Sequence, residues 1–408
     1  MIHTVQLPDF TQKQLSEIVC IQIHLLHYAA THQNIDDAQT CADFLDKIPE
    51  LAGRGVAIAE WIWNSKDRYE PLTKFAAGLD EQKQEFARQV QNDISLFESG
   101  IGSISPLAVP KNQWVNIPGW KTGAWQFLQN FYDDFCTGNG FPARLFSSNQ
   151  AFGVQDFLDK FVDNNVKHSE RKLHMCPACD ENSYRTKRQP IKKRRRTLAY
   201  KDHYFPISLY PHLSCHPKNL VPLCPFCNDI KSNRDLLNHP DYRGRSLQDI
   251  LLPYKEQGLG EYTYLEVNFN EDIRLSNFGE IKPRTGLDVR QKAEAFQYVY
   301  EIPERWYDEH LIERIADGLI ERIRTKLQGN PVGFVHRQEL LSLLKDLRNE
   351  LEQVQGRDPL VYAQTSLLSA AIAQEVEPVA FGNEAPISVL LPIVDAHQPQ
   401  NYQPLHPN

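Results

Sequence analysis

The sequence predicts an α+β protein, in which a small cysteine-bracketed centre lies between two mostly helical regions. Apolar residues recur at helical spacing through much of 1–165 and again from 288 to 376, which indicates amphipathic helices on both sides. Short runs of strand-like composition lie between them, near 194–224 and 261–284. Two Cys-x-x-Cys pairs enclose the first of these runs, so the centre is expected to bind a metal.

The apolar periodicity places the individual elements. It predicts N-terminal helices over 15–32, 41–63, 79–97, 123–136 and 154–165, and C-terminal helices over 289–301, 309–327, 337–355 and 358–374. A hairpin is predicted over 261–284 with its turn near Glu271–Asp272. The regions that follow are helical at 1–165, the centre at 166–245, a hairpin plus helices at 246–376, and a loosely ordered Pro- and Gln-rich tail at 377–408.

Length and composition are those of a globular protein. The chain has 408 residues, enough for two or three folded units, and its contents of 41% hydrophobic and 24% charged residues are ordinary. No apolar run reaches the about 18 residues that a membrane-spanning helix needs. The first residues also lack the pattern of a secretory signal. We therefore expect a cytoplasmic protein without a membrane span.

Charge is distributed unevenly along the chain. The net charge is −8, but residues 170–235 contain fourteen Lys or Arg against six Asp or Glu. That segment therefore carries +8, and the remainder carries −16, since −8 minus 8 is −16. A basic segment in an acidic chain localises contact with a polyanion and disfavours binding elsewhere on the surface.

Several aromatic residues and cysteines are expected to serve packing. Aromatic residues between 112 and 145 follow helical spacing, which favours a core-facing stripe over a base-stacking surface. The stripe is expected to contain Trp125, Phe127, Phe131 and Tyr132. The cysteines outside the two pairs are scattered and are expected to be buried as small hydrophobic residues: Cys20, Cys41, Cys136 and Cys215.

The paired cysteines have the spacing of zinc ligands. Cys176 and Cys179 form one knuckle, and Cys224 and Cys227 form the other. Four thiolates can surround Zn²⁺ tetrahedrally, which leaves no open position for a substrate. The predicted zinc is therefore structural. The gap between the two pairs is longer than in common zinc ribbons, so it must hold something else.

The gap, together with the residue that follows the second knuckle, contains the residue types that one-metal phosphodiester hydrolysis requires. Asp202 and Asn228 supply a carboxylate and an amide oxygen, the ligands that a hard Mg²⁺ or Mn²⁺ ion prefers. His203 is the candidate general base, because imidazole titrates near neutral pH. The pattern predicts a strand ending at the Asp202–His203 pair, a Pro-containing loop, a second strand over 219–224, and a helix opening at 224–228.

These residues resemble the HNH endonuclease family, also called ββα-metal nucleases, in its His-Asn-Asn form. The resemblance rests on DHYFP (202–206), NLVPLC (219–224) and CNDIK (227–231), together with the two Cys-x-x-Cys knuckles. It covers about 65 of the 408 residues and none of the flanks. The fold that it implies is a ββα-metal HNH core with a structural zinc, between mostly helical regions.

The resemblance assigns a role to each matched residue. Asp202 matches the metal-binding acid, and His203 matches the general base. Asn219 matches the middle asparagine, which shapes the loop through backbone hydrogen bonds and does not bind metal. Asn228 matches the last metal ligand, which is histidine in many relatives, and an amide oxygen there suits Mg²⁺ better than a softer ion. Lys231 matches a frequent downstream lysine that we group with the nucleic-acid-binding residues.

A run of basic residues between the knuckles is expected to grip phosphates. It is predicted to be a solvated loop or an extended hairpin arm, and a nuclear-localisation signal and a bland solvated face are its alternatives. The nucleic-acid-binding set is Lys187, Arg188, Lys192, Lys193, Arg194, Arg195, Arg196 and Lys231. The nearby histidines are expected to be surface or loop-packing residues: His174, His212, His216 and His239.

The function expected from this pattern is metal-dependent cleavage of DNA. Two alternatives remain open: a non-catalytic, zinc-stabilised nucleic-acid-binding module, and an RNA-directed nuclease. A nuclease core between helical arms also resembles the layout of effectors in bacterial anti-phage defence or restriction systems, which implies further subunits as partners. The acidic arms are then expected to hold the basic core inactive, so removing 1–165 should raise basal cleavage.

Overall fold

The computed structural model describes residues 2–33, 35, 37–137, 140–168, 173–181, 187–188, 195–196, 200–237, 245–269, 275–284, 287–301, 309–328, 337–358 and 360–376. Within them the chain combines many helices with small two-stranded antiparallel sheets, which agrees with the predicted α+β class. Some sequence expectations fall outside these residues: the hairpin turn near Glu271–Asp272, the tail at 377–408, His239, Lys192, Lys193 and Arg194.

The chain divides into two compact units, each made of separate stretches. The first unit comprises 1–3, 170–183 and 257–408, and the second comprises 4–169 and 184–256. The second unit therefore contains both the N-terminal helices and the segment from β3 to α8 introduced below.

Within the described part of residues 4–169, the second unit contains seven α-helices: α1 (Asp9–Thr31), α2 (Ala38–Leu45), α3 (Gly55–Trp63), α4 (Lys66–Ala76), α5 (Asp80–Ser99), α6 (Gly119–Cys136) and α7 (Val154–Val162). The helices predicted at 15–32, 79–97, 123–136 and 154–165 are confirmed, although α1 begins six residues and α6 four residues before the predicted start. The helix predicted over 41–63 is instead two helices, because Pro49 and Gly53 interrupt it and Gly53 adopts a positive φ of 77°. Helix α4 was not predicted; it contains Pro71, a residue that usually interrupts a helix.

Aromatic side chains of α6 form much of the core of the second unit. Trp125, Phe127 and Phe131 are at most 1% exposed, as the predicted core-facing stripe requires. Phe131 packs edge-on against Trp61 of α3, with ring centroids 5.3 Å apart. Tyr132 differs from the prediction, because it is only half-buried. Among the scattered cysteines, Cys41 and Cys215 are buried as expected, whereas Cys20 and Cys136 are half-buried.

A strand–strand–helix segment follows in the same unit. Two short strands, β1 (Lys187–Arg188) and β2 (Arg195–Arg196), pair antiparallel, which favours the hairpin form of the basic arm. Strand β3 (Tyr200–His203) pairs antiparallel with β4 (Leu220–Leu223), and α8 (Pro225–Lys231) follows. Pro225 occupies the first turn of α8, where its missing N–H costs no helical hydrogen bond.

The first unit contains the predicted hairpin and the C-terminal helices. Its described elements are β5 (Thr263–Phe269), β6 (Leu275–Pro283), α9 (Leu287–Tyr300), α10 (Glu309–Gln328), α11 (Arg337–Gln353) and α12 (Val361–Val376). All four predicted C-terminal helices are thus confirmed. Helices α10, α11 and α12 share an apolar core that includes Ile323, Leu344 and Leu368. Among the described residues, no helix has the length and apolar character that crossing a membrane requires.

Candidate functional site

The antiparallel pairing of β3 and β4 places Asp202 and His203 at the end of a short ladder. Asp202 is opposite Val221 and His203 is opposite Leu220, so both precede the loop that connects the strands. Successive residues of a strand point to opposite faces, which separates the directions of the two side chains. Both residues are nevertheless largely buried, with 8% and 7% of their surface exposed.

His203 is held by one backbone carbonyl. Its Nε2 lies 2.9 Å from the carbonyl oxygen of Ser214, which can only accept a hydrogen bond, so Nε2 carries the proton in the neutral ring. The lone pair of the neutral imidazole is therefore on Nδ1. Burial, above all, lowers the pKa of His203 to about 3; the hydrogen bond to Ser214 opposes this shift, and the nearby cations Lys231 and Lys201 contribute to it. His203 is thus neutral at pH 7 and able to accept a proton.

The Asp202 carboxylate is paired with Lys231 of α8. The Lys231 Nζ lies 3.3 Å and 3.4 Å from the two carboxylate oxygens of Asp202. Lys231 is fully buried, at 0% exposure. Burial raises the pKa of Asp202 above its usual range, and the lysine opposes that shift. Lys231 was grouped with the phosphate-binding residues, but its partner in this structure is an internal carboxylate.

Asn219 ties together the two ends of the loop between β3 and β4. Its Nδ2 donates to the carbonyl oxygens of Leu213 and Phe205, at 2.9 Å and 3.2 Å. Its Oδ1 accepts from the Phe205 backbone N–H at 2.6 Å. The side chain is completely buried, so these bonds are shielded from water. The arrangement fixes the loop that carries Ser214, the residue whose carbonyl holds His203.

Asn228 and the basic arm are located by their positions in helix α8 and in the paired strands β1 and β2. Asn228 is half-buried in α8, three residues before Lys231, and residues three apart share one face of a helix. The backbone of the arm brings Lys187 opposite Arg196 and Arg188 opposite Arg195. The described residues thus bring together Asp202, His203 and Lys231, with Asn219 beneath the loop.

Helix α5 packs against the same loop. The Phe97 ring contacts the rings of Phe205 and His216, with centroids 5.4 Å and 4.8 Å apart. His212 and His216 are at most 1% exposed, so both are loop-packing residues rather than surface residues. His212 lies 3.8 Å from the Asp93 carboxylate, whose pKa burial raises to about 6.

Sequence reasoning missed two neighbours of His203. Tyr132 of α6 presents its ring edge-on to the His203 ring, with centroids 4.1 Å apart. Ser214 supplies the carbonyl described above, and its hydroxyl donates to the Leu128 carbonyl of α6 at 3.1 Å. Helical spacing identified the stripe that contains Tyr132, but no sequence signal links position 132 to position 203.

The four paired cysteines form a cluster that can hold a metal ion. The Sγ atoms of Cys176, Cys179, Cys224 and Cys227 all lie within 4.8 Å of one another, and all four residues are buried. Tetrahedral zinc with Zn–S bonds of about 2.3 Å places its sulfurs about 3.8 Å apart, so the cluster fits. In the second knuckle, the Cys227 backbone N–H donates to the Cys224 sulfur at 3.5 Å. Such a bond helps to keep a thiolate charged.

Comparisons with known proteins leave the site to be judged on its own geometry. No protein-family model, no curated protein and no solved structure matches the chain.

Proposed function

We propose that the protein is a metal-dependent endonuclease whose segment 174–235 is a zinc-stapled HNH core that hydrolyses phosphodiester bonds in DNA. The observation that carries the proposal is the placement of His203. It ends a strand beside an acid, its Nε2 is anchored by a loop carbonyl, and Asn219 braces that loop. A general base needs this kind of fixed orientation.

His203 takes up a proton in the proposed reaction. The oxygen of a water molecule adds to phosphorus, and Nδ1 accepts the proton that the water loses. The ester bond from phosphorus to the sugar oxygen breaks with its electron pair on that oxygen, which then takes a proton from solvent water. Burial keeps the imidazole neutral beforehand. The negative charge of a bound phosphate stabilises the imidazolium, so the substrate itself raises the pKa of His203 and favours the transfer.

Asp202 and Asn228 are the proposed ligands of the catalytic cation. The Asp202 Oδ2 atom is buried, with the Lys231 ammonium 3.3 Å away as its ion-pair partner, and carboxylate and amide oxygens suit a hard ion. A bound Mg²⁺ or Mn²⁺ would supply neutralisation of the charge that develops on the phosphate and the leaving oxygen. Before the cation binds, Lys231 pairs with the Asp202 carboxylate. When the cation binds, the lysine must share this carboxylate or move away from it.

The cysteine cluster has a different role in the proposal. Four thiolates leave a zinc ion no open coordination position, so that zinc holds the segment together and takes no part in hydrolysis. We further propose, from the resemblance alone, that the protein acts with other subunits in bacterial anti-phage defence or restriction.

A plasmid-cleavage assay tests the proposal. Wild-type protein with Mg²⁺ is expected to nick or linearise supercoiled plasmid, whereas protein with EDTA is not. His203→Ala is expected to lower the rate by about 100-fold or more, since it removes the proton acceptor. His27→Ala is the matched control, because His27 is a histidine of α1 whose ring bonds the exposed Gln91 side chain.

The outcomes separate the alternatives. Cleavage that survives His203→Ala contradicts the mechanism. DNA binding without cleavage under every metal condition favours the non-catalytic zinc module, which needs the cysteines and cations but not His203. Cleavage of a matched RNA substrate in preference to DNA favours the RNA-directed nuclease.

A further inference from the structure

Three lysines of the second unit lie over aromatic rings, and one of these rings, that of Tyr132, contacts His203 of the candidate active site. The distances from Nζ to the ring centroids are 5.8 Å, 5.5 Å and 5.0 Å for the pairs Lys111–Trp114, Lys121–Trp125 and Lys201–Tyr132. A ring face attracts an ammonium group and orders it without neutralising its charge. We call these six residues the lysine–aromatic surface.

The surface is continuous and leads to His203. The rings of Trp114 and Trp125 are 5.7 Å apart, which joins the first two pairs. Lys111 and Lys201 both lie close enough to Asp133 to oppose the rise in its pKa that burial causes, which joins the first pair to the third. Tyr132 then contacts the His203 ring at 4.1 Å.

Of the three lysines of this surface, Lys111 is exposed and Lys121 and Lys201 are half-buried, whereas the Trp125 ring is buried. None of the three ammonium groups forms an ion pair within 4.0 Å with any carboxylate of the described residues. The sequence from 99 to 132 contains neither Asp nor Glu, and the nearby Asp133 follows directly after it. The 3-10 turn Lys111–Asn116 contains no buried residue. Lysines that reach the surface without a carboxylate within ion-pair distance suit a polyanion such as a phosphate backbone.

We propose that the lysine–aromatic surface binds the phosphate backbone of the DNA strand that enters the His203 site. The proposal rests on the nuclease function proposed above and names a substrate contact that is separate from the basic arm at 187–196. Lysines there neutralise phosphates on one side of the scissile bond, and Tyr132 lies where the strand meets His203. Release of counterions from the DNA would then contribute to affinity, so binding should depend on salt through these residues.

A binding titration in a cleavage-deficient background tests the surface. The parent is full-length His203→Ala, the probe is a fluorescein-labelled DNA oligonucleotide, and Kd is measured by anisotropy over a range of KCl concentrations. Lys111→Gln/Lys121→Gln is expected to weaken binding roughly tenfold near 0.1 M salt and to lower the slope of log Kd against log salt by about two. Lys111→Arg/Lys121→Arg should keep both values, since it keeps the charges.

The matched control is Lys160→Gln. Lys160 also lies over an aromatic ring, that of Phe10 at 5.5 Å, but it belongs to α7 and not to the lysine–aromatic surface. The Lys160→Gln variant should bind the DNA probe with the same Kd and salt slope as the parent. If the parent binds DNA and the double Gln variant binds it equally well with the same salt slope, the surface proposal alone is wrong. If the parent binds no DNA at any salt concentration, the nuclease proposal is wrong and the surface proposal with it.

Discussion

At the residue scale, the candidate site contains a buried ion pair that the sequence did not predict. Lys231 and Asp202 lie 3.3 Å apart, with side-chain exposures of 0% and 10%. Removing one partner of such a pair leaves an uncompensated buried charge, which costs more than the pair contributes by itself. The lysine therefore neutralises the acid that is proposed to hold the catalytic cation.

We expect Lys231→Met to lower the free energy of unfolding by about 3 kcal/mol or more, because the Asp202 carboxylate loses its counter-charge. Urea unfolding without added divalent ion measures this. The double variant Asp202→Asn/Lys231→Met should recover much of the loss, since no buried charge remains. Mg²⁺ should stabilise the single variant more than wild type if the cation replaces the ammonium.

Lys66→Met is the matched control for this prediction. Lys66 pairs with Glu70 at 3.2 Å, but both side chains are exposed, so the change should stay within about 0.5 kcal/mol. A double variant no more stable than Lys231→Met would contradict the ion-pair explanation.

At the scale of elements, strand β3 supplies Asp202 and His203, the turn before strand β4 supplies Asn219, and helix α8 supplies Asn228. The register of β3 and β4 determines the positions of Asp202 and His203. Hydrogen bonds of Asn219 close the loop, and the ion pair between Lys231 and Asp202 joins α8 to β3. These short elements are partly buried against their neighbours, and β4 is buried throughout, so their stability depends on packing as well as on hydrogen bonds and the proposed metal.

We expect one tightly bound zinc per chain, held by the four paired cysteines. Cys224→Ser should lower the zinc content measured by atomic emission and lower the melting temperature, because a thiolate ligand is lost and metal binding is linked to folding. Strong chelators should act in the same direction on wild type.

Cys41→Ser is the matched control for zinc content, since Cys41 is a buried cysteine of α2 outside the cluster. It should keep its zinc even if the buried hydroxyl makes it less stable. Zinc content that is unchanged in Cys224→Ser would overturn the assignment of the ligands.

At the scale of the whole molecule, the N-terminal helices form part of the unit that contains the candidate active site. The backbone N–H groups of Leu107 and Ala108 donate to the Leu209 carbonyl, and the Lys218 ammonium donates to the Glu98 carbonyl. Phe97 packs on Phe205. These contacts make 4–169 a structural support of the loop that holds His203, whereas the sequence suggested a separable arm.

Deletion of 1–165 tests this difference. We expect the remaining chain to lose cooperative folding, because the deletion exposes buried residues such as Phe205 and Leu213 to water. Near-UV circular dichroism and thermal unfolding measure the effect. A soluble, cooperatively folded fragment with raised basal cleavage would instead support the autoinhibitory arm that the sequence suggested.

A milder variant gives the same information without a deletion. Phe97→Ala leaves a cavity between α5 and the loop, so it should cost about 3–5 kcal/mol and lower cleavage below the wild-type rate.

The sequence by itself determined those features that depend on local chemistry. Helical periodicity gave most helices, alternation gave the hairpin strands, and Cys-x-x-Cys spacing identified the four residues that cluster. Each of these signals is contained in a few neighbouring residues, or in a ligand set whose geometry is the same in any fold.

Only the tertiary structure decided how distant residues meet. It brought Tyr132 to His203, buried Lys231 against Asp202, and placed three lysines on rings in one surface. It also joined the N-terminal helices and the segment from β3 to α8 in one unit. The physical reason is that burial and long-range contacts set the charge state and orientation of a side chain, and neither can be read from spacing along the chain.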